Sequence, residues 1–157
     1  MKTRLLLSLL AVATFAAFTS TNVQAHCQVP CGIYGDQLRF EAMLEDQATI
    51  SKAGSELAKY VSEDITVLSA NQMGRWITTK EQHAQSIQDT IADYFLAQRI
   101  KPEADNYKEQ LVAAHAVIRA AMKVKQDPSA EPADALKKAI TDLYQAYEGK
   151  EYQEHSH

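Results

Sequence analysis

Apolar residues recur at spacings of three and four through most of this chain, and no other feature restricts its fold so strongly. Such spacings place side chains on one face of an α-helix. No stretch alternates with period two for long enough to form a strand. Four stripes follow one another: Phe40, Met43, Leu44, Gln47, Ile50, Gly54, Leu57 and Val61; Ile65, Leu68, Gln72, Trp76, His83, Ile87, Ile91, Tyr94 and Gln98; Tyr107, Leu111, Ala114, Ile118 and Met122; Leu136, Ile140, Leu143 and Tyr147. Four amphipathic helices with short connections predict an all-α fold, an antiparallel four-helix bundle.

Residues that start or stop helices separate the stripes. Asp36 is a predicted N-cap of the first helix, and Ser62 of the second. Pro102 marks the next boundary, because the residue before a proline disfavours helical geometry. The proline-rich segment 127–132 is a predicted loop, and Gly149 ends the last helix. The predicted bundle therefore covers residues 36–149.

The first 25 residues have the layout of a cleaved leader. Lys2 and Arg4 precede an apolar run from Leu5 to Phe18, and Val23-Gln24-Ala25 offers small residues to a signal peptidase. This order is typical of a secretory signal peptide. A membrane anchor or a buried helix is the alternative, but the run of about 14 residues is shorter than the roughly 20 needed to cross a bilayer. We expect cleavage after Ala25, which leaves residues 26–157 as an exported periplasmic or extracellular domain.

The charge of the mature chain restricts its partners. The leader holds two basic residues and no acidic ones, so Lys+Arg falls from 16 to 14 against 20 acidic residues, a net charge of −6. A negative chain without a basic patch is a poor binder of nucleic acid. No second apolar run has membrane length, so the mature form is predicted not to insert into a membrane.

Residues 26–34, His-Cys-Gln-Val-Pro-Cys-Gly-Ile-Tyr, bring several metal donors together at the start of the mature chain. Cys27 and Cys31 are the only cysteines. Cleavage frees the α-amino group of His26, and the backbone nitrogen of Cys27 lies between that amine and the Cys27 thiolate. The His26 imidazole can reach an axial position. Two nitrogens and two thiolates suit a square-planar ion such as nickel(II) or copper(II).

A disulfide is the main alternative for the two cysteines. Exported proteins normally oxidise such a pair. A bond between Cys27 and Cys31 would close a very small loop and add little stability. The residues alone therefore leave two functions open: a redox-active metal enzyme, or an exported helical metal carrier or disulfide-hooked binding protein without catalysis.

The pattern His-Cys-x-x-Pro-Cys-Gly-x-Tyr at residues 26–34 resembles the nickel hook of nickel-containing superoxide dismutases. That resemblance implies an enzyme that converts superoxide into dioxygen and hydrogen peroxide, with nickel alternating between its divalent and trivalent states. It implies one nickel ion per subunit and a homohexamer of four-helix bundles. The implied metal ligands are His26 through its amine and imidazole, Cys27 through its amide and thiolate, and Cys31 through its thiolate.

The resemblance also gives roles to residues outside the ligand set. Tyr34 matches the tyrosine that covers the open face of the metal. Glu41 matches the carboxylate that steadies the axial imidazole, a second layer of ligand orientation. Asp93 and Tyr94 match an aspartate-tyrosine pair whose tyrosine approaches the hook. From the residues alone, Glu41 would be a solvated charge and Tyr94 a core residue.

The likeness is incomplete in three respects. Gln28 stands where members of the family often have aspartate. His83 lies near the position where some members have an arginine that supports the axial histidine from a neighbouring subunit, and the sequence leaves open whether His83 replaces it. Members usually carry a propeptide that a partner peptidase removes inside the cell, so a cytoplasmic location follows if the leader is of that kind.

Attraction of an anionic substrate by a negative chain requires local positive charge. Arg39, Lys80 and Arg99 are the cations that we expect to guide superoxide. The three lie on predicted helices, and the sequence does not show which of them share a surface.

Overall fold

The computed structural model describes residues 35–62 and 64–153. The predicted leader cleavage, the predicted ligands His26, Cys27 and Cys31, and Tyr34 lie outside the described residues. Within them the elements are α1 (Asp36–Ala58), a 3₁₀ helix (Lys59–Ser62), α2 (Val67–Asp89), a π-helix that continues α2 (Thr90–Arg99), α3 (Tyr107–Gln126) and α4 (Ala130–Glu148).

The helices form an antiparallel bundle in which each is adjacent to two others. Helix α1 packs against α2 and α4, and α3 packs against the same two helices. The described part of the chain contains no strand, which confirms the all-α prediction. Among these described helices, none combines the length and hydropathy that crossing a bilayer requires.

The core lies between the four helices and is richest in aromatic side chains at one end. Phe40 on α1 packs against Phe95 with ring centroids 4.8 Å apart and against Tyr144 at 5.0 Å, edge to face. Such pairs stabilise by about 0.5–1.5 kcal/mol each beyond the burial of their area. The other large, fully buried side chains are Met43, Ile87, Ile91, Val117, Val124, Leu136, Ile140 and Leu143.

The second helix begins later than predicted. Thr66, and not Ser62, is its N-cap, because the Thr66 hydroxyl accepts a hydrogen bond from the Ser69 amide at 3.1 Å. The Ser69 hydroxyl in turn accepts one from the Thr66 amide at 2.8 Å. This capping box satisfies two amides that lack partners in the helix. Ser62 instead ends the 3₁₀ helix.

Two other boundaries also differ from the prediction. Gly35 is the N-cap of α1, and Asp36 is the first helical residue, with its side chain directed elsewhere. Helix α4 begins at Ala130, inside the segment predicted to be a loop. Pro132 is compatible with this start because proline is tolerated in the first turn of a helix, where amides lack partners in any case.

The hairpin of α1 and α2 extends past the rest of the bundle. A Cβ on Gly54 would lie 2.2 Å from the carbonyl oxygen of Pro128, so α1 passes the loop between α3 and α4 at this glycine. Beyond this level, Ile65 and Leu68 are 72% and 70% exposed. Their predicted place in the core is wrong because α3 and α4 do not reach them.

Candidate active site at the start of helix α1

The carboxylate of Asp36 accepts hydrogen bonds from three side chains at the point where α1 begins. Tyr94 donates its hydroxyl to Oδ1 at 2.5 Å, and Tyr147 donates to Oδ2 at 2.7 Å. The Arg99 guanidinium also donates to Oδ2, at 2.7 Å. These four residues, named the Asp36 cluster below, join α1, the π-helix and the end of α4. Within the cluster, Asp36 follows the segment 26–34 in the sequence, with Gly35 between them.

The π-helix brings two members of the cluster together. Tyr94 and Arg99 are five residues apart, and five residues advance an α-helix by about 500°, which leaves the two side chains about 140° apart. A π-helix has wider turns and hydrogen bonds between residues that are five apart, so such side chains lie much closer to one face of the helix. The bond from the Ile100 amide to the Phe95 carbonyl, at 2.8 Å, has this five-residue spacing. Both side chains can therefore reach the same carboxylate.

The cluster keeps Asp36 ionised and its tyrosines protonated. Partial burial would raise the pKa of Asp36, but the hydrogen bonds from Arg99, Tyr94 and Tyr147 outweigh it and hold this pKa below 3.8. Burial and the bond to Asp36 raise the pKa of Tyr147 to about 12, and the same two causes raise that of Tyr94. The bond to Asp36 raises the pKa of Arg99. At neutral pH the cluster is a carboxylate held by one cation and two hydroxyls.

Two of the three predicted cations lie at this end of the bundle. Arg99 is part of the cluster, and the Arg39 guanidinium lies 5.2 Å from the centre of the Tyr94 ring, within cation–π range. The Arg39 Nε is buried and has no hydrogen-bond partner among the described residues. Lys80 is only 3% exposed at the opposite end, where backbone carbonyls bind it. Lys80 therefore has no surface on which to guide superoxide, contrary to our expectation.

The structure separates the predicted aspartate-tyrosine pair. Tyr94 is 8% exposed and contacts Asp36, whereas Asp93 faces solvent, and its backbone carbonyl accepts a bond from the Gln98 side chain at 2.8 Å. Glu41 is half-buried on α1 and accepts a bond from Gln37 at 2.9 Å. Tyr94 therefore belongs to the cluster, and Asp93 does not.

His83 is paired within its own chain. Its Nδ1 lies 2.6 Å from Oδ1 of Asp46 on α1. Asp46 is ten residues beyond Asp36, which corresponds to about 15 Å along an α-helix. His83 therefore lies away from the Asp36 cluster in this subunit.

The sequence interpretation did not identify Asp36, Arg99 and Tyr147 as one group. It treated Asp36 as a cap, Arg99 as a steering charge and Tyr147 as core. One signal was available, because the buried residues Ile91, Phe95 and Ile100 are separated by four and then five positions. A spacing of five departs from the α-helical period and indicates the π-helix.

The predicted donors for a metal lie in residues 26–31. Among the described residues, no group of three or more His, Cys, Asp or Glu side chains could hold a metal ion. After the predicted cleavage at Ala25, residues 26–31 would offer two thiolates, an amine, an amide nitrogen and an imidazole, a set whose soft sulfur and strong nitrogen donors fit nickel(II). The chemistry of the donor set therefore fits nickel.

The fold and the residues before it define an all-α protein, a four-helix bundle preceded by an N-terminal segment with two cysteines. Residues 21–151 match the family model described as nickel-containing superoxide dismutase, and the chain belongs to that family. It is thus an oxidoreductase, its metal is nickel and its substrate is superoxide. No curated protein and no solved structure shows significant similarity to the chain.

Proposed function

We propose that the chain disproportionates superoxide at the hook formed by residues 26–34, after removal of residues 1–25. Two superoxide ions and two protons give one dioxygen and one hydrogen peroxide, with one electron leaving the first ion and one joining the second. The observation that carries this proposal is that one family match spans the hook and all four helices. The alternative carrier or binding protein would use the same hook without turnover.

The proposed ligands are contributed by three residues. His26 would bind through its freed amine and its imidazole, Cys27 through its amide nitrogen and thiolate, and Cys31 through its thiolate. When bound, nickel supplies one-electron exchange between its divalent and trivalent states. Thiolate and amide donors favour the higher state because they donate charge strongly. Processing at Ala25 is essential, because the amine of His26 does not exist in the precursor.

Other residues would shape the surroundings of the metal. Tyr34 would cover its open face and order substrate or water there. Glu41 would steady the His26 ring, and its half-buried position on the second turn of α1 supports this role. Tyr94 would form part of the wall, which is supported by its bond to Asp36 at the base of the hook. Asp93 would contribute charge at the surface, since its side chain is exposed.

Assembly and maturation are further parts of the proposal. We infer a homohexamer, a leader-cleaving peptidase as a partner, and export to the periplasm or the extracellular space. The extended α1–α2 hairpin supports association, because Val61, Ile65, Val67 and Leu68 are each at least 70% exposed there. Large apolar side chains gathered on one surface mark an interaction site. Native mass spectrometry of the processed protein tests the assembly.

The decisive experiment determines the N-terminus and the metal content of processed protein. Intact mass should show His26 as the first residue, and metal analysis should show about one nickel per chain. Cys27→Ser and Cys31→Ser should each abolish nickel binding and superoxide turnover. Tyr34→Phe should retain nickel with altered kinetics. Turnover that survives either cysteine change would refute the mechanism, and a mass lower by two hydrogens without nickel would establish the disulfide-hooked alternative.

A further inference from the structure

We propose that Asp36 is a positioning residue for the hook, and that the Asp36 cluster fixes the start of α1, which follows residues 26–34 in the sequence. This proposal rests on the proposed function. Asp36 is not itself a ligand, and it acts through the backbone of the first turn of α1. Tyr147 and Arg99 are the residues that hold Asp36 in place.

The cluster restrains one short stretch of backbone from three directions. Carboxylates in the first turn commonly stabilise a helix start, but the Asp36 carboxylate accepts its hydrogen bonds from Tyr94, Arg99 and Tyr147 on other elements. These contacts link α1 to α4 and to the π-helix that continues α2. Rotation or lifting of the first turn would break three charge-assisted hydrogen bonds.

The distance along the chain between Asp36 and the hook is short. Five Cα–Cα steps separate Cys31 from Asp36, and a fully extended chain of five residues spans about 18 Å at most. The location of Asp36 therefore limits where the Cys31 thiolate can lie. Effective catalysis depends on such placement, since an error of about 1 Å in position can cost about a hundredfold in rate.

Burial and charge distinguish this cluster from an incidental surface pair. The Asp36 side chain is 13% exposed, and its two oxygens take three donors. The exposed pair of Lys138 and Asp142, four residues apart on α4, has side chains that are 74% and 54% exposed. Asp142→Asn is therefore the matched control for Asp36→Asn, because both changes remove one carboxylate charge.

The test compares processed, nickel-loaded wild type with Asp36→Asn and Asp142→Asn. An amide cannot pair with Arg99 as a carboxylate does, so the first turn should loosen. We expect Asp36→Asn to retain nickel but to show a heterogeneous electron paramagnetic resonance spectrum of the oxidised metal. Its turnover per nickel should fall about tenfold or more. Asp142→Asn should match wild type in the spectrum and in the rate.

A second variant and a metal-free measurement keep the inference falsifiable. Tyr147→Phe keeps the charge of Asp36 and removes one hydrogen-bond donor. It can take the place of Asp36→Asn if that variant does not fold. We expect it to change the electron paramagnetic resonance spectrum in the same way but to a smaller extent. Hydrogen exchange of metal-free protein should show faster exchange at residues 35–40 in Asp36→Asn than in Asp142→Asn. A wild-type spectrum and turnover in both cluster variants would overturn the inference. If wild type itself binds no nickel, the proposed function fails, and equal exchange in the two variants would then overturn the positioning role.

Discussion

The two ends of the bundle bind a charged side chain in different ways: Asp36 at one end is partly buried, and Lys80 at the other is fully buried. At the hook end, Asp36 is bound by side chains from the π-helix and α4. At the opposite end, the Lys80 ammonium donates to the carbonyls of Val124 and Lys125, both at 2.7 Å, and to the Glu81 carboxylate at 2.7 Å. Two of the three Lys80 partners are backbone groups, whereas all three Asp36 partners are side chains.

This difference in partners separates stability from function. Lys80 closes the last turn of α3, where carbonyls lack partners within the helix. Any sequence that forms this turn presents the same carbonyls, so these two hydrogen bonds of Lys80 depend on the fold and not on particular side chains. The Asp36 cluster needs particular side chains at three separate places. We therefore expect changes at Lys80 to affect unfolding, and changes at Asp36 to affect the metal as well.

The largest loss of stability should follow Lys80→Met. Methionine retains much of the buried chain but leaves the Val124 and Lys125 carbonyls without this donor. Unsatisfied buried groups cost about 1–3 kcal/mol each, so we expect a loss of about 3 kcal/mol in the free energy of unfolding. Denaturant titration measures it, and Lys138→Met on the exposed pair should cost under about 0.5 kcal/mol. A change in turnover per nickel in Lys80→Met would break the distinction between the two ends.

Gly54→Ala should have the next largest effect, at the same end as Lys80. The new Cβ would meet the Pro128 oxygen at 2.2 Å, so α1 or the loop must shift. Overpacking of this kind costs about 1–3 kcal/mol and exceeds the gain of about 1 kcal/mol from replacing a helical glycine. Thermal unfolding should show a net loss of up to about 2 kcal/mol. The matched control is Gly74→Ala, which meets no atom within 4 Å and should stabilise the protein.

A smaller effect on stability is expected for Tyr147→Phe at the hook end. The change removes one of three donors to Asp36 and keeps the ring contacts with Phe40 and Phe95. Removing a hydrogen bond costs less where the side chain is half-exposed than where it is buried. We therefore expect denaturant titration to show a loss of about 1 kcal/mol in the free energy of unfolding. A loss of stability as large as that of Lys80→Met would contradict the expected difference between the two ends of the bundle.

The smallest expected effect is a pH dependence of the contribution that Tyr147 makes to the free energy of unfolding. The folded protein raises the pKa of Tyr147 from 10.0 to about 12, so the unfolded chain loses this proton first as the pH rises. The contribution of Tyr147 is therefore complete below pH 10 and is lost as the pH rises to about 12. The stability difference between wild type and Tyr147→Phe should shrink over that range. This stability difference should change less with pH in the Asp36→Asn background, because the Asp36 carboxylate that helps to raise the pKa of Tyr147 is absent there.

The sequence predicted the helices better than it predicted their ends. The spacing of Phe40, Met43 and Ile50 correctly identified the core face of α1, because burial against neighbouring helices imposes that period. The start of α2 was wrong because Ser62 and Thr66 have similar capping chemistry, and the choice depends on Ser69 and on the path of the turn. Exposure of Ile65 and Leu68 was also missed, since periodicity does not reveal how far the opposing helices reach.

The site was predicted in part. Tyr94 was selected because the chain resembles a known family, and it lies beside the start of α1. Asp36, Arg99 and Tyr147 were not predicted to form one group, because they are far apart in the sequence. Arg99 is 63 positions from Asp36, and Tyr147 is 111 positions from it. Contacts over such separations depend on the packing of whole helices. The metal ligands remain predictions, because His26, Cys27 and Cys31 lie outside the described residues.

The π-helix has a consequence for comparison among relatives. A helix that pairs residues five apart contains, in effect, one inserted residue whose phase shift is confined to Thr90–Arg99. A relative that lacks the insertion could keep the α-helical packing around Ile87 and still turn its counterpart of Arg99 away from the start of α1. We therefore expect a gap of one position within this segment of an alignment to distinguish relatives that build the Asp36 cluster from those that anchor their hooks by other means.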